Sequence, residues 1–390
     1  MRTREDIRNF WLLASFAVAI TAVGLGAAYY MAMHGHIVSG MNNQIVWGLP
    51  HVFAIFMIVA ASGVLNVASV GTVFGQPVYK KRAPLAGLLS IALLMGGLMV
   101  LMLDLGQPDR VIIAATYYNF TSVFAWNVFL YSGMVAIVVV YLWTIFERSM
   151  NKYSKPVGMA VLVWRFVLTT GTGSIFAFLV ARQAFQSALL APLFIVLSLG
   201  WGQAVFLITQ SAMYAWNGRV LDDAIRRRMA RLLGIFIVAT LYLVAVYYLT
   251  NLYYAKQVSF VRFILVDGGI YPLLFWGGYV LIGSVLPLLL LFHPKLSCVR
   301  TTLAASALVV AGAFAFLYVF IVGGQAFPLE IFPGHVVSSS FADGAVGNYV
   351  PRLPELLLGV GGLGAALLLT VVGLRAFNFM PPDDSVSAKS

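Results

Sequence analysis

Charged side chains are scarce in this 390-residue sequence. Only 9% of the residues are Asp, Glu, Lys or Arg, against roughly a quarter in soluble proteins, whereas 61% are apolar. The mean hydropathy is +0.94, and this much apolar surface cannot be buried inside a water-soluble protein, so the sequence predicts an integral membrane protein. The 13 Asp and Glu residues are outnumbered by 24 Lys and Arg residues, so the formal net charge is +11. Because the basic residues fall in short loops between apolar runs, we expect them to face a membrane surface and not a nucleic acid.

Side chains that bind redox metals are also few. The single cysteine, Cys298, excludes an internal disulfide, a cysteine-ligated iron–sulfur cluster and a thiolate zinc site. A haem held by two imidazoles would need two of the five histidines, and only His51 lies well inside an apolar run. We therefore expect no haem, iron–sulfur cluster or metal ion in this chain.

Long apolar runs dominate what is present. About 20 residues of helix are needed to cross roughly 30 Å of hydrocarbon. Ten runs of this kind occur, at 11–31, 47–72, 84–104, 121–144, 157–182, 188–213, 232–254, 270–292, 301–322 and 355–376. The sequence predicts an all-α polytopic membrane protein with ten transmembrane helices and no soluble domain.

The basic residues alternate between the two sides of these spans. With the N-terminus inside, 18 of the 24 Lys and Arg residues fall in inner segments. Five fall in outer segments, namely Arg110, Arg182, Lys256, Arg262 and Arg352. Since inner loops are enriched in Lys and Arg, both termini are predicted to face the cytoplasm.

The spacing of the spans suggests two groups of four helices, at 47–182 and 188–322, flanked by single helices. The strings FAWNVFLYSG (124–133) and LFWGGYVLIG (274–283) open spans four and eight and suggest a duplication. Aromatic residues near a membrane interface would produce the same likeness. The outer segment 324–354 is the longest piece outside the spans and is the predicted docking surface for a partner subunit.

Two ionisable side chains are predicted to meet near the outer face. His51 lies just inside span two, and Asp104 ends span three. Because helices joined by a short loop are antiparallel neighbours, the two residues lie at one depth. An imidazole and a carboxylate placed in this way can exchange protons or hold a polar ligand. The alternatives are a structural histidine bonded to a neighbouring helix and a carboxylate paired with Arg110.

Three further polar residues are predicted near the same level. Asn127 and Tyr131 share a face at the start of span four, and Arg182 ends span five. With His51 and Asp104 they converge in the outer third of the first group of helices. Arg182 can instead reach the lipid headgroups, and the other two can belong to interfacial packing.

Arg165 lies deeper, about eight residues into span five and roughly 12 Å from the inner face. Thr169, Thr170 and Thr172 follow it on the same helix. One interpretation is a polar path along which protons pass toward the outer residues. The other is interhelical packing, in which the hydroxyls bond to neighbouring backbone.

Several strings resemble those of a known family. They are MNNQIVWGLPH (41–51), LDLGQPDR (103–110), FAWN (124–127) and WR (164–165). Over nearly its whole length, the chain resembles the membrane subunits of the NrfD/polysulfide reductase family. It is more similar to the ten-helix branch that contains the hydrogenase subunit HybB and, especially, the sulfur-metabolism subunit DsrP.

The resemblance implies quinone chemistry at the outer side of a bacterial inner membrane, with menaquinone or ubiquinone as substrate. Electrons would be exchanged with a periplasmic ferredoxin-like iron–sulfur subunit. The other implied partners are a haem-b membrane subunit, a periplasmic multihaem cytochrome and a cytoplasmic iron–sulfur subunit. The chain is not expected to catalyse a reaction alone.

By position, the family's quinone-contacting histidine corresponds to His51, and Asp104 matches by motif. His51 would bond one quinone oxygen and relay a proton, Asp104 would orient it, and Asn127 or Arg182 would hold the other oxygen. Tyr131 is included from its depth. Two other classes stay open, a transporter or proton channel and a purely structural anchor, although a transporter is expected to have broken helices in both halves.

Overall fold

The computed structural model describes residues 4–219, 221–293, 298–329, 344–377 and 379. Within these residues the regular structure is helical and no strand occurs. Ten helices are long and apolar enough to cross a membrane, which confirms the predicted fold class. They are α1 (Arg4–His34), α2 (Leu49–Thr72), α3 (Ala83–Leu103), α4 (Val123–Phe146), α5 (Ser154–Ala177), α6 (Leu190–Trp216), α7 (Asp223–Tyr253), α8 (Ile270–Phe292), α9 (Val299–Ala326) and α10 (Leu353–Ala376).

The end of α5 differs from its prediction. The predicted span continues to residue 182, but α5 ends at Ala177, and Arg182 lies in the connection to α6. The apolar residues after Ala177 continue the pattern of a span, although the chain turns there. Composition alone could not locate this turn.

Helix α2 lies at the centre of the molecule. It packs against α3 and α5 on one side and against α6 and α9 on the other, and 94% of its apolar window is buried. A helix that is apolar on all faces is suited to this position. Among the described residues, α4 contacts α3 and α5, α6 contacts α7, and α8 contacts α9, while α1 and α10 pack against each other and α10 covers α3.

The crossing of α2 and α6 depends on small residues. A Cβ atom at Gly63 would stand 1.6 Å from the carbonyl oxygen of Ser198, and one at Gly202 would stand 2.2 Å from the carbonyl carbon of Gly63. Neither position can hold a larger side chain without separating the helices. Close approach through small residues is the usual way in which membrane helices associate.

Helices α8 and α9 each contain a stretch of π-helix, at Leu274–Val285 and Val319–Gly323. Such wider turns are rare and often lie near functional positions. The one in α9 directly precedes Gln325, which is buried beside the beginning of α2. We call the end of the molecule at which α2 begins the His51 end, and the opposite end, which contains the α2–α3 connection, the Arg82 end.

Candidate functional site

A histidine and a carboxylate meet where α2 begins and α3 ends. His51 lies in the first turn of α2, and Asp104 directly follows the last residue of α3. His51 Nδ1 is 2.8 Å from Asp104 Oδ2. The Asp104 side chain is 1% exposed, and no described group forms a well-aligned hydrogen bond to either of its oxygens. The two groups form an ion pair when the imidazole is protonated, in surroundings where charges interact more strongly than in water.

The His51 ring has one buried edge and one accessible edge. Nδ1 is buried against Asp104, whereas 14% of the side chain is exposed, which leaves Nε2 as the nitrogen that a ligand can reach. The Trp47 ring stacks on His51 with a centroid distance of 6.0 Å and an interplanar angle of 27°. Phe176 meets Trp47 edge-on at 5.5 Å. An aromatic surface beside a hydrogen-bonding nitrogen suits a flat ligand with polar edges.

Gln325 of α9 holds the backbone that carries Trp47. Its side-chain oxygen accepts the N–H groups of Val46 and Trp47, both at 3.1 Å. Its amide nitrogen donates to the carbonyl oxygens of Trp47 and Ile321, both at 2.9 Å. The Gln325 side chain is 1% exposed and both of its polar atoms are hydrogen-bonded, so it holds the backbone just before α2 against α9.

Glu355 of α10 holds the first turn of α2 through Tyr349. One carboxylate oxygen of Glu355 accepts the backbone N–H groups of Gly40 and Arg352, at 2.9 and 2.8 Å. The other accepts the Tyr349 hydroxyl at 2.8 Å, and the Tyr349 oxygen accepts the N–H of Leu49 at 2.6 Å. Glu355 is 0% exposed. This arrangement satisfies one of the free N–H groups at the start of α2, two residues before His51.

Glycine is required between these groups. A Cβ atom at Gly48 would stand 2.6 Å from Tyr349 Oη and 2.7 Å from Glu355 Oε1. Burial and the nearby Glu355 carboxylate raise the pKa of Tyr349 above its usual value, so the hydroxyl keeps its proton and remains a donor.

Arg182 also joins separate segments at this end. Its guanidinium donates to the carbonyl oxygen of Gln325 at 2.8 Å and to that of Gln44 at 2.7 Å. These bonds link the α5–α6 connection to the segment before α2. Partial burial lowers the pKa of Arg182 from its usual value, since desolvation disfavours the charged form.

The predicted docking segment 324–354 is described only in part, because residues 330–343 lie outside the described residues. Its described residues supply Gln325 and Tyr349 to the beginning of α2. The carbonyl oxygen of Ala345 also accepts the Gln44 side chain at 2.8 Å. One side of this segment therefore faces the turn that carries His51.

Asn127 and Tyr131 lie in the contact between α4 and α5. Asn127 Nδ2 donates to the carbonyl oxygens of Val123 and Gly171 at 2.9 and 3.2 Å, and its Oδ1 has no partner among the described residues. Tyr131 is buried, and its hydroxyl has no hydrogen-bond partner among the described residues. No hydrogen bond within the described chain joins either residue to the histidine–aspartate pair.

Arg165 of α5 lies in the contact between α5 and α2. It is 2% exposed and donates to the Ser62 carbonyl at 3.4 Å and to Asn66 Oδ1 at 3.2 Å. No carboxylate of the described residues pairs with it. Thr169 Oγ1 is 2.6 Å from Ser62 Oγ, so both helices contribute to one polar contact.

Thr172 is buried on the same helix and its hydroxyl donates to the Leu168 carbonyl at 3.0 Å, whereas Thr170 is only partly buried and its side chain forms no hydrogen bond among the described residues. Toward the Arg82 end, the hydroxyls of Thr72 and Tyr141 bond to each other in the interior. Ser62, Asn66 and Thr72 were missed from the sequence, although Ser62 and Asn66, four residues apart on one helix, were a usable signal.

Gln325, Tyr349 and Glu355 were also missed. Their partners at the start of α2 lie about 300 residues away in the chain, so no local pattern indicates the contact. Only Glu355 carries a sequence signal, as an acidic residue three positions after Arg352 at a helix start. Among the described residues, no three His, Cys, Asp or Glu side chains come together as metal ligands.

Residues 37–329 match the family model described as polysulphide reductase, NrfD. The chain belongs to the NrfD family. The matched region extends from the end of α1 to beyond α9, so it contains His51 and Asp104 but not α10.

Relatives of this NrfD-family chain are similar along nearly their whole length. It is 28% identical over 383 residues to the Hdr-like menaquinol oxidoreductase integral membrane subunit of Archaeoglobus fulgidus, covering 96% of this chain and 95% of the relative. It is 24% identical over 400 residues to a selenate reductase subunit of Mesobacillus selenatarsenatis, covering 92% of each chain. The protein is thus a multi-pass membrane protein whose relatives are subunits of oxidoreductases.

Proposed function

We propose that this NrfD-family chain is the quinone-interacting membrane subunit of a redox complex, with its quinone site at His51. The observation that carries the proposal is the buried His51–Asp104 pair with one accessible ring nitrogen beside the Trp47 ring. The menaquinol named in the description of the Archaeoglobus relative supports a quinol as substrate.

Oxidation of a quinol releases two electrons and two protons. His51 Nε2 accepts a proton from a quinol hydroxyl, and the Asp104 carboxylate, 2.8 Å from Nδ1, stabilises the imidazolium that forms. The imidazole, which is 14% exposed, releases this proton to the outside and then accepts the second one in the same way. In quinone reduction these steps run in reverse, with the imidazolium as the proton donor. Asn127 has an amide oxygen without a partner among the described residues, so we propose that it accepts a hydrogen bond from the other hydroxyl of the quinol.

The electrons pass to or from a partner subunit. We propose a ferredoxin-like iron–sulfur subunit that docks at the His51 end, against the described parts of segment 324–354. A haem-b membrane subunit, a multihaem cytochrome and a second iron–sulfur subunit would complete the complex. The distribution of basic residues supports placing the His51 end at the periplasmic face of a bacterial inner membrane.

We further propose that protons cross the membrane along residues of helices α2, α4 and α5. The path would include Arg165, Thr169, Thr172 and Tyr131, with Ser62 bridging α2 and α5. The buried guanidinium has no carboxylate partner in the described chain, so it is not part of a simple ion pair. A charge inside a membrane is costly, and such residues usually have a functional role, which supports this path. Thr170 would belong to this path only if its side chain turned toward Thr169 and Thr172.

The test is His51→Gln in the complex purified with its partner subunits. Glutamine keeps a hydrogen-bonding group but cannot accept and release a proton, so quinol-linked electron transfer should fall about 100-fold or more. Assembly, followed by copurification, should be unchanged. The matched control is His34→Gln, an exposed histidine whose Nδ1 contacts the Tyr30 carbonyl at 3.0 Å. Turnover in His51→Gln close to that of the control would contradict the proposal.

A further inference from the structure

A positively charged cavity lies at the Arg82 end, far from the proposed quinone site. Its volume is about 290 Å³, and it is enclosed by the start of α7, the end of α8 and the start of α9. Arg226, Arg227, Arg231 and His293 line it, together with hydroxyls of α9. None of the described residues in its lining is acidic, and the nearby Asp223 carboxylate is bonded to Arg226, so the charged groups that face the cavity are basic.

The three arginines have different roles. Arg226 is 2% exposed and already bonded, with Nε 3.0 Å from Asp223 Oδ1 and Nη1 3.0 Å from Thr302 Oγ1. It fastens α7 to α9 and makes that wall rigid. Arg227 and Arg231 are one turn apart on α7 and exposed, and neither pairs with a carboxylate in the described part of the chain. The cavity therefore has two positive charges that are not compensated.

The depth of the cavity matches the level of lipid headgroups. Helix α7 has 31 residues and is therefore roughly 46 Å long, whereas the hydrocarbon layer is about 30 Å thick. Its first turns consequently extend beyond the hydrocarbon. Opposite the arginines, the cavity wall is apolar and ends at Phe292, whose ring packs so closely on α7 that a Cβ at Gly234 would stand 2.4 Å from it.

We propose that this cavity binds the phosphate group of an anionic phospholipid. The guanidinium groups of Arg227 and Arg231 face the phosphate oxygens, and the lipid chain begins along the apolar wall at Phe292. Planar guanidinium groups bind phosphate in a bidentate manner, and basic pockets between membrane helices are typical headgroup sites. This site does not depend on the proposed quinone chemistry, because it lies at the opposite end of the molecule.

The experiment uses the full chain, purified in a non-ionic detergent and examined by native mass spectrometry. Phosphatidylglycerol and phosphatidylcholine with the same acyl chains are added at equal concentration. The variants are Arg227→Gln and Arg231→Gln, and the matched control is Arg228→Gln. Arg228 has the same charge and lies on the same helix, but its guanidinium stands over the Tyr79 ring at 5.3 Å.

We expect the wild-type chain to retain phosphatidylglycerol in preference to phosphatidylcholine. Arg227→Gln and Arg231→Gln should each lower its affinity about fivefold, and Arg228→Gln should not change it. Equal loss in all three variants would mean unspecific attraction to surface charge, and equal retention of both lipids would mean a purely apolar cleft. Either result would overturn the proposal.

Two further arms separate the source of the phosphate. Inorganic phosphate should displace phosphatidylglycerol no better than chloride of equal ionic strength. Stronger displacement would assign the cavity to soluble phosphate instead of lipid. If Arg231→Gln left lipid binding intact but lost a partner subunit on purification, the cavity would belong to an acidic segment of that partner, and the lipid proposal would be wrong.

Discussion

Replacing Glu355 by glutamine tests how the first turn of α2 is held. In the structure, one carboxylate oxygen accepts two backbone N–H groups, from Gly40 and Arg352, and the other accepts the Tyr349 hydroxyl. A glutamine amide has only one oxygen. If the amide nitrogen replaces the oxygen that faces Gly40 and Arg352, the N–H groups of these two residues lose their acceptor. If it replaces the other oxygen, it meets a Tyr349 oxygen that already accepts the Leu49 N–H.

The size of the effect follows from this count. A hydrogen bond to a charged group contributes about 1.5–3 kcal/mol, so losing two should cost roughly 3–6 kcal/mol of stability. At about 2.1 cal/mol/K of unfolding entropy per residue, a chain of 390 residues should then unfold at a midpoint lower by about 4–7 °C. Because Glu355 holds Tyr349, whose oxygen accepts the Leu49 N–H two residues before His51, turnover should fall as well.

The assay is thermal unfolding of the purified chain in detergent, followed by tryptophan fluorescence. Glu147→Gln is the matched control, since Glu147 is exposed and accepts only local bonds from Ser149, from its N–H at 3.3 Å and from its hydroxyl at 3.2 Å. The control should unfold at the wild-type midpoint. If Glu355→Gln also did so, the carboxylate would not hold α2, and its contacts with Gly40, Arg352 and Tyr349 would contribute nothing measurable.

Two other predictions concern the proposed reaction. Asp104→Asn removes the charge beside His51 and should lower quinol-linked turnover about 100-fold, whereas Asp109→Asn, on an exposed residue of the same loop, should have no effect; equal rates would remove the carboxylate from the reaction. Arg165→Gln should abolish proton uptake from the Arg82 side of proteoliposomes, recorded with a pH-sensitive dye, while electron transfer continues. Arg148→Gln, an exposed change at the same end, should leave uptake intact, and undiminished uptake in Arg165→Gln would show that protons do not take this path.

The ten helices and the proximity of His51 and Asp104 can be predicted from the sequence. The residues that hold the first turn of α2 in place cannot. The ten spans are visible because each is apolar over the thickness of a membrane. His51 and Asp104 are predictable neighbours because one short connection joins antiparallel helices. Gln325 and Glu355 give no comparable signal, since their contacts with α2 depend on how α9 and α10 pack around it.

The end of α5 shows a related limit. Apolar residues continue past Ala177, so composition extends the helix, whereas tertiary contacts set the actual turn. Arg182 reaches the carbonyl oxygens of Gln44 and Gln325, neither of which lies near it in sequence. A local pattern cannot report a turn that is determined by a distant partner.

The dependence of α2 on Tyr349 and Glu355 has a consequence for biosynthesis. The Tyr349 hydroxyl that receives the Leu49 N–H is made 300 residues later in the chain. Since membrane proteins are translated from the N-terminus, α2 enters the bilayer long before this partner exists. The hydrogen bonds that hold the first turn of α2 are consequently complete only when α10 has been inserted, so an incompletely translated chain would lack the contacts that position His51.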